Sequence, residues 1–249
     1  MPKIPQSSVI YRGPSLIDGA PIVALAIISN RNTKTGPMLQ TYILRADIDP
    51  REASKTGADR SICGDCPHRG RATENPAAKQ AEGRSCYVLL GQGPLIAYRS
   101  FMRGLYPDLT KRAEIAALGA GRMVRIGTYG DPAAVPSHIW ETLLSRAAGH
   151  TAYSHQAGVA GAAFDAARMM QSVETEAEAR AAWAEGRRTF RVVRWVGDIV
   201  KGQETLCPAS KEGGRRTTCY ECGLCAGSAL KAKSIAIPAH GAGSANFKQ

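Results

Sequence analysis

The chain has no long apolar run. Its longest, residues 22–28 (IVALAII), falls far short of the ~20 residues that a membrane-spanning helix needs. The opening residues, MPKIPQSSVI, carry neither the basic stretch nor the apolar core of a signal peptide, so no membrane association and a cytoplasmic location are the expectations. Acidic residues are in short supply as well: 21 Asp and Glu face 32 Lys and Arg, a formal charge of +11. That balance suits a protein that meets phosphate groups, and points to nucleic acid or a nucleotide as partner. Residues 49–85 offer almost nothing to anchor a hydrophobic core. A structureless stretch of that length is uncommon in a compact domain unless it is functional or stapled. Finally, the seven cysteines are odd in number and clustered, which argues against a disulfide framework in a reducing compartment and for metal ligation.

The cysteines fall into two sets. Cys219, Cys222 and Cys225 form C-x2-C-x2-C, with Cys207 upstream and followed by Pro208. Three thiolates at every third residue plus a remote cysteine are a ligand set of ferredoxin-type clusters, although four thiolates also suit tetrahedral zinc. His240 is an alternative zinc ligand in place of Cys207. The other set, Cys63, Cys66 and Cys86, is one ligand short of a closed site. A cubane on three thiolates leaves one iron open to another ligand. Recruiting His68 would instead close a Cys3His zinc site.

The remaining chain alternates apolar strand-like and helix-like segments. Strands are expected at residues 21–29, 41–44, 123–127, 151–155, 169–173, 189–193 and 234–238. Helices are expected at 107–118, 139–147, 158–168 and after the Thr175/Glu178 capping box. This rhythm predicts a single α/β domain over residues 1–249: a partial or complete (β/α) barrel with parallel strands, plus irregular cysteine-rich metal-binding loops. Residues 49–86 form a cysteine-bearing insertion loop, and residues 207–249 a carboxyl-terminal cysteine-cluster segment.

In parallel α/β folds the carboxyl ends of strands face the ligand crevice. Asp131, in YGDP after the 123–127 strand, and His155, at the end of the next, are therefore the candidate catalytic residues. Tyr129, Gly130 and Gln156 beside them are candidates for cofactor binding. Arg187, Arg188, Arg191 and Arg194, with Arg215 and Arg216 in the second cysteine set, are candidates for phosphate contacts.

The three-cysteine set followed by a strand ending in Gly130-Asp131-Pro132 resembles radical S-adenosylmethionine enzymes, whose corresponding motif is Gly-Gly-Glu-Pro-like and which often carry an auxiliary four-cysteine cluster. That family spaces its first cysteines C-x3-C-x2-C, whereas this chain has C-x2-C and a distant Cys86. The resemblance implies one or two 4Fe-4S clusters, and S-adenosylmethionine as a further cofactor. The segments SICGDCPHR, SCYV, YGDPAAVP, RTFRV, CPAS and TTCYECGLC also resemble the uncharacterised phage "gene product 88" family, which implies a phage or mobile-element origin. More distantly, Cys219, Cys222, Cys225 and His240 with Asp131 are similar to the zinc and aspartate parts of tRNA-guanine transglycosylases. Three functions thus follow as expectations: an iron-sulfur enzyme modifying nucleic acid or a nucleotide, a zinc-stabilised base-exchange enzyme, or a non-enzymatic zinc-dependent nucleic-acid-binding protein.

Overall fold

A computed structural model describes residues 7–28, 32–156, 159, 165–214 and 217–248. Among the described residues, ten strands fall into two five-stranded sheets. The first holds β1 (Ser7–Pro14), β2 (Pro21–Ile28), β3 (Leu39–Arg45), β4 (Met123–Tyr129) and β5 (Gly149–Thr151), in that spatial order. The second comprises β6 (Tyr153–Ser154), β7 (Met170–Val173), β8 (Thr189–Val193), β9 (Glu204–Leu206) and β10 (Ser234–Pro238), in the order β6-β7-β8-β10-β9.

Only Ala152 separates β5 from β6, so a single extended segment leaves one sheet and enters the other. Its backbone stays paired at the crossing. The Ala152 amide donates to the Cys225 carbonyl at 3.0 Å, and its carbonyl accepts from Met170 at 3.0 Å.

The mixed α/β architecture matches expectation, and every pair in the second sheet is parallel. The first three strands are antiparallel, contrary to the parallel pattern expected. Their connections are too short for a crossover helix, and a hairpin is the remaining solution. Parallel pairing begins at β3 and β4, where α1 (Pro50–Thr56), α2 (Arg60–Cys63), α3 (Gly93–Met102) and α4 (Arg112–Gly119) supply the crossover. β1 and β9 lie at opposite ends of this strand order and do not pair with each other, so the described strands do not close a barrel.

The first half of the segment 49–86 carries short helices, whereas residues 70–86 are irregular apart from one isolated bridge between Arg71 and Glu82. Asp49 caps α1 by accepting from the Arg51 amide, and Gly57 ends it in the left-handed conformation. Ala53 and Ile62 are both buried. Two well-placed apolar side chains suffice to seat such short helices, a signal too sparse for periodicity to show. The helix expected at 107–118 begins only at Arg112 because Pro107 and Leu109 bond the edge of β1 at Val9. Most of the helix expected at 158–168 lies outside the described residues. Two further helices, α5 (Ser137–Leu144) and α6 (Glu176–Ala184), follow β4 and β7, and the Thr175/Glu178 capping box of α6 is present. The last, α7 (Cys219–Cys222), is a single turn.

Candidate metal centre

Cys63 ends α2, and its carbonyl accepts from the Cys66 amide in a tight turn. The Cys86 amide donates to the His68 carbonyl at 3.0 Å, which brings the third thiol to the same turn. Gly64 has φ 57° and ψ −133°, and a Cβ there would lie 2.2 Å from the Gln156 side chain. The loop is anchored to the sheet by the Asp131 amide, which donates to the Ile62 carbonyl at 2.6 Å. That approach requires Gly130, whose Cβ would come within 2.7 Å of the Ile43 Cβ at a φ of 85°. Burial, with Asp59, Cys66 and Cys86 nearby, pushes the Cys63 thiol well up, and burial also raises Cys86. Left to themselves these groups are neutral thiols; a metal cation supplies the charge that makes them thiolate ligands.

The four-cysteine set is built differently. Thr218 and Glu221 form a capping box on α7, which presents Cys219 and Cys222. Cys207 and Cys225 are buried. Arg188 holds the segment that follows by donating to the carbonyls of Leu224, Gly227 and Lys233 at 2.9, 2.8 and 2.6 Å. Burial raises the Cys225 thiol to about 12, against a hydrogen bond from Tyr153 that lowers it.

Both sets open on one cavity of about 470 Å³. Cys63, Cys66 and Cys86 line it together with Cys207 and Cys219, and its walls include residues of β3, β4, β6, β7, β8 and β10. Cys222 and Cys225 face a small neighbouring crevice, shared with Cys207 and Cys219. Arg125 of β4 reaches both sides: one guanidinium nitrogen lies 2.7 Å from the Tyr87 hydroxyl, the other 3.9 Å from Cys219 Sγ. Burial opposes its charge, but Tyr87, Tyr153 and Cys219 hold its pKa above the usual arginine value.

Among the described residues, the one grouping of three His, Cys, Asp or Glu side chains whose donor atoms all lie within 4.8 Å of one another is His68, His155 and Glu174.

The expected site residues divide into three kinds. Tyr129, Gly130, Asp131 and His155 line the cavity. The Tyr129 hydroxyl is buried there without a hydrogen-bond partner. Asp131 is fully engaged, accepting from the Ala133 amide (2.9 Å), the Ser154 hydroxyl (2.7 Å) and the His155 amide (2.8 Å). Its carboxylate therefore ties the end of β4 to the end of β6 and positions His155. Gln156 is packed behind Gly64, a support for the cysteine turn, and is not among the residues lining the cavity.

Among the arginines expected to meet phosphate, two are corrections. Arg191 is 2 % exposed and forms a two-pronged ion pair with Glu204 at 2.6 and 2.9 Å; Arg188 is spent on the three carbonyls above. Arg191 alternates with Phe190 and Val192, which line the cavity, and so points to the opposite, buried face of β8. Arg187 pairs with Glu185, and Arg194 lies over the Trp195 ring. Arg215 and Arg216 lie outside the described residues. His240 stacks on Tyr87 and lies 2.9 Å from Lys34 Nζ.

Residues missed from sequence were Arg125, Tyr87, Ser85 and Glu174. Glu174 directly follows β7, and the strand-end rule that selected Asp131 and His155 would have found it.

No family model matches the chain, and no curated protein or solved structure is significantly similar to it.

Proposed function

We propose that this chain is an iron-sulfur enzyme on a partial (β/α) barrel, with an open cluster on Cys63, Cys66 and Cys86 and a second, closed cluster on Cys207, Cys219, Cys222 and Cys225. The observation that carries the reading is the shared cavity: thiols of both sets face one space large enough for a small ligand. The donor set fits the group, being all-cysteine, with three thiols in one set and four in the other. When bound, a cluster with an unligated iron supplies one-electron chemistry to a ligand in the cavity, and S-adenosylmethionine is the candidate ligand.

The chain's own residues do the rest. Asp131 fixes the strand ends, Gly130 and Gly64 let the cysteine turn approach the sheet, and Arg125 holds a buried positive charge between the two sets. Lys34, Arg69, Arg84 and Arg125 line the same cavity against Asp59, Asp131 and Glu174, a small excess of positive charge that suits an anionic occupant. The substrate class that fits is a nucleotide, or a single base extruded from a strand, rather than a duplex gripped along β8, because Arg188 and Arg191 are turned inward. A cytoplasmic setting belongs to this reading, since it keeps the seven thiols reduced.

The test is an anaerobic assay with S-adenosylmethionine and dithionite. 5′-Deoxyadenosine is expected from the wild type and absent from Cys63→Ser. No product from protein whose clusters are intact would contradict the use of S-adenosylmethionine.

A further inference from the structure

Three side chains of the cavity wall that belong to neither cysteine set are arranged as metal ligands. His68 follows Cys66 in a short helical turn, His155 follows β6, and Glu174 follows β7, so three separate parts of the chain converge. His155 Nε2 lies 2.8 Å from one Glu174 oxygen, and His68 Nε2 lies 3.2 Å from the other. All three side chains are partly buried, at 13 %, 21 % and 27 % exposure, and all three line the cavity.

The His68 ring is braced from behind, as ligating histidines are. His68 Nδ1 lies 2.9 Å from the Ser85 hydroxyl, and its ring stacks on Phe247 with 5.7 Å between centroids and 20° between planes. This leaves Nε2 as the nitrogen directed at the shared point. His155 is held at its backbone amide by the Asp131 carboxylate, and its side chain also hydrogen-bonds the neighbouring Cys66 thiol. The Ser85 bond is of the outer-shell kind that sets ring orientation and tautomer in metal sites. A plain ion pair would need one imidazole for one carboxylate; here two imidazoles address one carboxylate at the edge of an open cavity.

We infer that His68, His155 and Glu174 bind a single divalent first-row transition-metal ion through two imidazole nitrogens and one carboxylate oxygen. The remaining coordination positions face the cavity and take water or an oxygen atom of the occupant. Two histidines and a carboxylate on one face are the donor set of non-haem Fe(II) sites and, with a water, of catalytic zinc sites. Imidazole ligation disfavours magnesium and calcium, which take oxygen donors. The site extends beyond the cluster reading, because none of its donors is a cysteine.

Cobalt(II) is the probe. Full-length protein with its cysteine sites loaded is titrated with the ion and followed by visible absorption. One added equivalent giving d–d bands without a thiolate-to-cobalt charge-transfer band is expected. Glu174→Gln and His68→Ala should each weaken binding by about 100-fold or more, and Ser85→Ala by roughly 10-fold, the loss typical of an outer-shell partner. Circular dichroism establishes that each variant is folded; the nearly isosteric Glu174→Gln decides the matter if His68→Ala is not. Absence of cobalt uptake, a thiolate charge-transfer band, or uptake indifferent to Glu174→Gln would overturn the inference. Iron content reports on the cysteine sets separately, so an iron-free protein with Glu174-dependent cobalt binding would defeat the cluster reading and leave this one standing.

Discussion

Cys207 and Cys225 are core residues, packed with Met170, Ile235 and Ile237 in the smaller of two hydrophobic clusters. Cys63, Cys66 and Cys86 are all half-buried, and only Cys63 packs against the larger core. In the first case sulfur replaces aliphatic volume, so the sheet β6-β7-β8-β10-β9 is partly packed around these two cysteines. In the second, backbone ties at Ile62, Asp131 and His68 hold a turn whose thiols all face the cavity. The difference separates cysteines that pack into the core, Cys207 and Cys225, from cysteines that the fold displays, Cys63, Cys66 and Cys86, with Cys219 and Cys222 half-buried between them.

The sharpest way to break this contrast is to disturb each set alone. Arg188→Ala leaves the carbonyls of Leu224, Gly227 and Lys233 without their donor, and should cost about 3 kcal/mol. Thermal melting should show a large drop accompanied by loss of metal from the four-cysteine set, while the three-cysteine set stays loaded. Gly64→Ala should do the reverse. It forces alanine into a backbone region reserved for glycine and against the Gln156 amide, a cost of about 2 kcal/mol. Metal should leave Cys63, Cys66 and Cys86 with the other set intact. Loss of both metals in either variant would show the two regions to be one cooperative unit.

A smaller effect depends on pH. Burial raises the Glu174 carboxyl, but bonds from His155 and His68 outweigh it and hold the pKa down to about 2, against an ordinary 4.5. The folded-state value is depressed, so the carboxylate contributes stability in full above pH 4.5 and loses it as pH falls toward 2. Metal-free wild type should therefore melt higher than Glu174→Gln at pH 5, and the gap should close on acidification. A gap independent of pH would point to packing instead of charge.

The smallest expected effect concerns α7. Thr218→Ala removes its cap, worth about 1 kcal/mol, or roughly 2–4 °C in melting temperature for a chain of this size. Because Cys219 and Cys222 lie on this turn, occupancy of the four-cysteine set should fall slightly and the other set not at all.

Much of this was legible in the sequence because it rests on local chemistry. The grouping of cysteines follows from their spacing, β8 and β10 from short apolar runs, and the start of α6 from Thr175 and Glu178. What failed to show depends on tertiary partners. The arginines of β8 read as a basic cluster because nothing near them in sequence reveals that Glu204 and the carbonyls after Cys222 lie against them. The helices at 50–63 left no trace because Ala53, Ile62 and a single cap fall below any periodic signal. Asp131 was recognised by position, but its role is visible only once Ser154 and the His155 amide are seen donating to it.

Anaerobic iron, sulfide and zinc analysis with a visible spectrum tests the central claim most directly, on wild type beside Cys63→Ser and Cys222→Ser. The account predicts a brown protein with about eight iron and eight sulfide atoms per chain, the content of two 4Fe-4S clusters, falling to about four of each in either variant. A colourless protein holding zinc and no iron would contradict it.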